Sequence, residues 1–325
     1  MSSDASRAAK TVRGALRHIR VLSDGRPGHE NQSVGLALAL ARRCGATHEV
    51  VKFDPKAPLW TRMRAATGGP AGGPRPDLVI AAGHRTHLPL WWAARKFAAR
   101  SVVIMKPSLP AAFFDLALVP RHDVADGAAD TARRVLTRGA LNRVPEELPT
   151  KEARGLVLIG GPSKHHGWDG AALAPMVARV LAARPDLEWI VGDSRRTPEG
   201  FLLGLEIPAG LRATKVPHQE TGPGWLAGEL ARSALVWVTA DSVSMVHEAL
   251  TAGAATGVLP VPPAKAGGDG GRPARAVAGL VAAGLATEFP AQPEPPTTRF
   301  HEAGRCAELI LARWFAAPRS GHVSR

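Results

Sequence analysis

The sequence predicts an α/β fold, two Rossmann-like domains facing a cleft, and three observations carry that prediction. Short apolar, β-branched runs alternate with segments of helical period, the pattern of a doubly wound parallel sheet. The alternation is traversed twice. Between the two series, Pro145, Pro149 and the charged residues around them read as a linker over about residues 145–154. In the first series, residues 19–22, 49–53, 77–81, 101–105 and 116–119 read as strands, and the GGPAGGPRP stretch at 68–76 is a loop by composition. The second begins with LVLIGG after Gly155 and continues with strands at 188–191, 214–216, 235–238 and 256–259. A Gly- and Pro-rich segment at 260–273 precedes helices near 274–283 and 299–316. The expected divisions are a flexible basic N-terminus at 1–17, a first Rossmann-like domain at 18–148 and a second at 149–298. A C-terminal helix at 299–325 is expected to pack back across the junction.

At 325 residues the chain can bury a core in each of two domains. Hydrophobic residues make up 45% and charged residues 21%, a globular composition, and no apolar run reaches membrane-spanning length. The first twenty residues lack a secretory apolar stretch; their Arg, Ser and Ala content loosely resembles a transit sequence, but the strand at 19–22 favours a flexible lead-in. Cys44 and Cys306 stand far apart outside any CxxC pattern, so neither a disulfide framework nor a thiolate metal site is expected, and a cytoplasmic location fits. A net charge of +13 calls for a polyanionic partner, an acidic membrane surface or phosphorylated substrates. Specific nucleic-acid binding is disfavoured, because Tyr is absent and the eight Trp are scattered rather than interleaved with basic residues. Arg7, Lys10, Arg13, Arg17 and Arg20 fall in one short segment, which suits peripheral contact with anionic lipid or a solvated tail.

The stretch TADSVSMVHEALTAG, residues 239–253, is the most informative motif. It follows an apolar run and reads as strand, sharp turn and helix, with Asp241, Ser242 and Ser244 at the helix start beside Met245. Free backbone N–H groups and the macrodipole favour an anion there. Val243, Val246 and Leu250 recur at helical spacing and face a core, leaving Ser244 and Glu248 one turn apart on another face. Amides and hydroxyls for a diphosphate, with a carboxylate one turn deeper for paired sugar hydroxyls, are what a nucleotide-sugar site requires. An N-capped core helix with a solvated Glu fits the same residues.

Two glycines, Gly160 and Gly161, open the second domain's first loop, where backbone can approach a ligand closely, and Ser163 and Lys164 can serve phosphate oxygens. No GxxxxGK[ST] is present and GxGxxG does not follow the strand, so P-loop and nicotinamide chemistry lose support. His165 and His166 lack partners at ligand spacing, and no metal is expected. Arg195 and Arg196 follow the next strand, just before a helix whose first turn suits Pro198, and can bind a diphosphate or nucleobase or form an exposed cap. In the first domain, DGRPGH makes a tight loop at the carboxyl end of a strand, with a helix from Asn31 onwards. His29 there suits a general base, with Glu30, Asp24 and Asp123 in reserve. Gly28, Asn31, Arg85, Lys106, Ser108, Arg121 and Asp123 are expected to line the acceptor side.

The motifs SDGRPGHENQ, IMKPSLP, VPRHD, IGGPSKHHGWD, SRRTPE and TADSVSMVHEAL, in this order over about residues 18–260, resemble the mitochondrial-fission family named for the elongated-mitochondria protein of plants, which has many bacterial members. That resemblance implies a GT-B-like, glycosyltransferase-like protein, while plant members are associated with recruiting the fission dynamin to mitochondria. More distantly, MVHEALTAG is similar to the donor-site helix of the peptidoglycan N-acetylglucosaminyltransferase family, whose Glu contacts the nucleotide ribose; Glu248 takes that position. PGHENQSVGLALA resembles that family's Gly-Gly-His loop and helix, which makes His29 the matching catalytic candidate, although DGRPGH replaces a longer Gly-rich loop. The expectation is metal-independent, cofactor-free transfer of a sugar from a nucleotide-sugar donor to an acceptor. A non-catalytic adaptor on the same scaffold is the alternative and a nucleotide-sugar epimerase the third reading.

Overall fold

A computed structural model describes residues 14–68, 73–125, 127–222, 224–265, 268 and 270–315. Arg7, Lys10 and Arg13 of the basic lead-in, residues 69–72 of the Gly-rich loop and the last ten residues of the expected C-terminal helix lie outside them. The chain divides into two units, one running to Arg143 and resuming at Glu302, the other spanning Val144–His301. The divisions thus fall at 143/144 and 301/302, where the sequence placed them at 148/149 and 298/299.

Unit 1 is built from β1 (His18–Ser23), α1 (Pro27–Cys44), β2 (Thr47–Lys52), α2 (Leu59–Thr67), β3 (Leu78–Ala82), α3 (His87–Phe97), β4 (Arg100–Ile104), β5 (Leu116–Pro120) and β6 (Arg134–Thr137). All six strands are parallel, in the order β2-β1-β3-β4-β5-β6. Side chains alternate between faces: Ile19, Val21, Leu78 and Ile80 fill one core, while Leu22, Val79 and Ala81 fill the other. Both faces are therefore covered, which is why these strands read as near-continuous apolar runs. β6 escaped the sequence reading because it is only four residues long and begins on an arginine that follows another, Arg133.

Unit 2 follows with β7 (Glu152–Leu158), α4 (Gly170–Ala183), β8 (Glu188–Gly192), α5 (Phe201–Gly204), β9 (Ala213–Val216), α6 (Trp225–Arg232), β10 (Ser233–Thr239), α7 (Val243–Thr251), β11 (Ala255–Leu259), α8 (Gly271–Ala282) and the two-residue β12 (Thr287–Glu288). Its parallel order is β12-β11-β10-β7-β8-β9. The last helix, α9 (Glu302–Ile310), returns to unit 1, where Ala303, Cys306, Ala307 and Ile310 share a core with Leu36 and Leu40 of α1. Among the described residues, no helix is long and apolar enough to cross a membrane.

The strand orders fix where each sheet opens a crevice. In unit 1 the chain leaves β1 for one neighbour and returns to β3 on its other side; in unit 2 it leaves β7 towards β8 and β9, then returns to β10. Loops that follow such a strand pair at its carboxyl end diverge and open a crevice. The loops after β1, β3, β7 and β10, together with the first turns of the helices α1 and α7, carry most of the candidate residues.

Candidate functional site

In unit 1, α1 begins at Pro27 rather than at Asn31, because proline lacks the N–H that a first helical turn would leave unpaired and its fixed φ suits that position. His29 and Glu30 consequently stand in the first turn. The Nδ1 atom of His29 lies 3.1 and 3.0 Å from the two carboxylate oxygens of Asp24, whose side chain is 1% exposed. Asp24 Oδ1 also accepts the Arg26 amide at 3.2 Å. A carboxylate only accepts, so the imidazole carries its hydrogen on Nδ1 and the neutral ring presents a lone pair at Nε2. Gly83, just after β3, lets the backbone approach the ring: its φ is +92°, and a Cβ there would collide with the His29 ring.

Glu30 is held differently. Its carboxylate accepts the Ser23 hydroxyl at 2.7 Å, pairs with Lys52 at 3.1 Å and takes the Arg143 guanidinium at 3.0 Å. Burial alone would raise its pKa, but hydrogen bonds from Ser23, Lys52 and Arg143 outweigh that and lower it. Both oxygens are engaged, so the geometry makes Glu30 an ionic anchor for α1. Among the other acceptor-side candidates, Gly28 is exposed with open space around its Cα, and Asn31 is half-buried on the second turn of α1. The Arg85 guanidinium donates to the Pro55 carbonyl at 2.7 Å. After β4, Met105 has a φ of +74°, a strained conformation for a side-chain-bearing residue, and it leads into exposed Lys106 and Ser108. The Ser108 hydroxyl sits 2.9 Å from His87 Nδ1. Burial, with His84 and His29 nearby, pushes the His87 pKa down to about 4, so the hydroxyl donates to a neutral ring. His87 carried no signal in the sequence. Arg121 and Asp123 form a 3-10 turn after β5.

In unit 2 the glycines serve a different purpose from the one the sequence assigned. The Gly160 amide donates to Thr239 Oγ1 at 2.7 Å and the Gly161 amide to Asp241 Oδ2 at 3.0 Å, so neither is left over for a phosphate. A Cβ on Gly160 would collide with the Asp241 carboxylate, and one on Gly161 with the backbone of Arg196. The Asp241 side chain is itself buried and paired with Arg196 at 2.6 Å, while Arg196 Nη1 donates to the Gly161 carbonyl at 2.7 Å. These five residues pin together the loops after β7, β8 and β10. Its other oxygen, Oδ1, is buried without a hydrogen-bond partner. Ser163 caps its own loop, its hydroxyl accepting the amides of His165 and His166 at 3.2 and 3.1 Å. Lys164 and Arg195 are exposed. The helix expected at Pro198 forms only as the single turn α5, starting at Phe201.

α7 starts as the motif indicated: Ser242 is its N-cap but bonds no amide with its side chain. Val246 and Leu250 are buried, Met245 packs beside them, Ser244 is exposed and Glu248 half-buried. Next to this start lies a cavity of about 490 Å³, lined by Ala240, Val258, Pro260, Val277, Val281 and the buried His166 among others. Two further features escaped the sequence because their members are far apart in it. His218, after β9, donates its amide (2.6 Å) and directs Nδ1 (3.1 Å) to Asp193 Oδ1 at the end of β8. Trp225, the first residue of α6, lays the tip of its ring against Gly192, 2.9 Å from where a Cβ would stand. Among the described residues, no group of three or more His, Cys, Asp or Glu could hold a metal ion.

Known proteins share this architecture. A Listeria monocytogenes protein assigned as a UDP-N-acetylglucosamine 2-epimerase superposes with a TM-score of 0.59 at 13% identity, covering 94% of this chain and 99% of its own. The Staphylococcus aureus protein MnaA, solved with UDP, superposes at 0.50 with 13% identity over 91% and 88% of the two chains. The glycosyltransferase SnogD from Streptomyces nogalater gives 0.44 at 17% identity over 84% and 86%. At such identities the likeness is one of fold, two Rossmann-like domains of the GT-B kind. In sequence, the uncharacterized protein RP120 of Rickettsia prowazekii (strain Madrid E) is 24% identical over 289 residues, 73% of this chain and 81% of its own length. Residues 27–314 match the family described as mitochondrial fission ELM1, and since that stretch takes in nearly all of both units, the chain belongs to the mitochondrial fission ELM1 family.

Proposed function

We propose that the protein transfers a sugar from a nucleoside-diphosphate donor to a hydroxyl acceptor, without a metal. The observation that carries this reading is the Asp24–His29 pair at the unit 1 crevice, a base with its tautomer already set. In the proposed step His29 Nε2 takes the acceptor O–H proton as that oxygen bonds to the anomeric carbon. The bond from the anomeric carbon to the diphosphate oxygen breaks, and the electron pair leaves on the phosphate. Asp24 stabilises the imidazolium that forms. In unit 2 the uncapped start of α7, with Ser242, Ser244, Lys164 and Arg195, faces the leaving diphosphate in this reading, and Glu248 takes the ribose hydroxyls. Gly160, Gly161, Arg196 and Asp241 build that site rather than contact the donor. The neighbouring structures include one solved with UDP, which agrees with a nucleotide donor.

The test is release of nucleoside diphosphate from a panel of nucleotide sugars offered with candidate acceptors. His29→Ala should lower turnover roughly 100- to 10,000-fold while donor affinity stays nearly unchanged. Normal turnover in that variant refutes the base assignment. Epimerisation at the sugar, without net transfer, selects the epimerase reading instead. The adaptor reading is favoured by the family's description and the net charge of +13; vesicle binding with no turnover of any donor would establish it.

A further inference from the structure

We infer that Asp193, His218 and Trp225 form a nucleobase subsite at the carboxyl edge of β8 and β9, an inference that rests on the donor reading of unit 2. Three observations meet there. His218 is clamped by one carboxylate through both its backbone amide and its ring, at 2.6 and 3.1 Å from Asp193 Oδ1, so the imidazole has a fixed direction. The carboxylate holds the hydrogen on Nδ1, and the neutral ring offers Nε2, on a side chain still 26% exposed, as one fixed acceptor. Trp225 is partly exposed, and its ring reaches the end of β8 only because residue 192 has no side chain.

An aromatic face beside a single polar reader is the chemistry of base recognition: the ring stacks on any base, and the edge atom demands an N–H from it. A lone phosphate, with no face to stack and oxygens that chiefly accept, would use neither the ring face nor the acceptor. The location also fits. Arg196, three residues after Asp193, pairs with Asp241 immediately before the start of α7. Three residues span at most about 10 Å, which ties the base reader to the diphosphate end of the proposed donor. The cavity near His166 is a poorer base site, since aliphatic side chains dominate its lining and no Trp or Phe stands among the described residues there.

The experiment is titration calorimetry on the full chain with pyrophosphate, UDP, GDP, ADP and CDP. At least one nucleoside diphosphate should bind more tightly than pyrophosphate. His218→Ala should weaken it about 10-fold and Trp225→Leu roughly 5- to 150-fold, with pyrophosphate affinity unchanged and Trp225→Phe largely restoring binding. If Trp225→Leu fails to fold, His218→Ala and Trp225→Phe carry the comparison. Unchanged nucleoside-diphosphate affinity in folded His218→Ala and Trp225→Leu overturns the subsite while leaving the donor reading intact, and so does a bound base found in the His166-lined cavity. Failure of the wild-type chain to bind any of the nucleotides overturns the donor reading and the subsite together.

Discussion

Replacing Asp24 with asparagine isolates what the buried carboxylate does to His29. Asp24 Oδ1 accepts the Arg26 amide at 3.2 Å, so the asparagine oxygen stays there and its NH2 group takes the place of Oδ2, 3.0 Å from His29 Nδ1. That NH2 donates, and Nδ1 can only accept from it as a deprotonated nitrogen. The retained oxygen also lies 3.1 Å from Nδ1 but is shared with the Arg26 amide and has lost its charge, so the imidazole hydrogen shifts towards Nε2, the atom that has to receive a proton. The lost charge-assisted hydrogen bond is worth about 1.5–3 kcal/mol, because the Asp24 side chain is 1% exposed and water does not replace it. In the proposed reaction the loss is that of a general base, roughly 100- to 10,000-fold in rate or about 2.7–5.5 kcal/mol in the barrier. Long-range ¹H–¹⁵N correlation spectra report the tautomer directly and need no substrate: the wild-type ring should show Nδ1–H and Asp24→Asn the Nε2–H form. The same hydrogen position in both proteins would refute the reasoning, whatever the turnover.

Two further outcomes follow from buried groups in unit 1. Burial alone would raise the Glu302 pKa, but Arg305 and Arg138 outweigh it and lower it below the ordinary value. A depressed carboxylate pKa contributes stability that is complete above the unfolded value, about 4.3, and is lost as pH falls through the folded one. Thermal melts of the wild type and Glu302→Gln should therefore differ most near neutrality and converge only as pH falls below the ordinary carboxylate range; a gap independent of pH would contradict this. Burial pushes the Cys306 thiol up to about 12, whereas Cys44 is exposed. At pH 8 iodoacetamide should modify Cys44 in the native protein and Cys306 only after unfolding, as read by mass spectrometry; rapid native labelling of Cys306 would show that α9 opens.

Strand positions, the doubled α/β pattern and the α7 motif were legible in the sequence because each is written in local periodicity: buried parallel strands are apolar runs, and Val246 and Leu250 mark the inner face of a helix four residues apart. Placement of Asp24 and His29 at a sheet's carboxyl edge was legible for the same reason. Their pairing was not, nor was the start of α1 at Pro27, nor the strands β6 and β12, which are too short to carry a period. The order of strands around β1 and β7, and hence the position of each crevice, depends on pairings between segments distant in the chain. The same holds for individual groups. Gly160 and Gly161 read as donors for a phosphate until Thr239 and Asp241, about eighty residues later, occupy their amides. Asp193 and His218 sit on different loops and form a pair only when β8 and β9 lie side by side. Local sequence determined which chemistry was present at the edges of the two sheets. Tertiary packing decided which atoms were already satisfied and which remained to meet a ligand, because a hydrogen bond is decided by a distance of about 3 Å, which no spacing along the chain encodes.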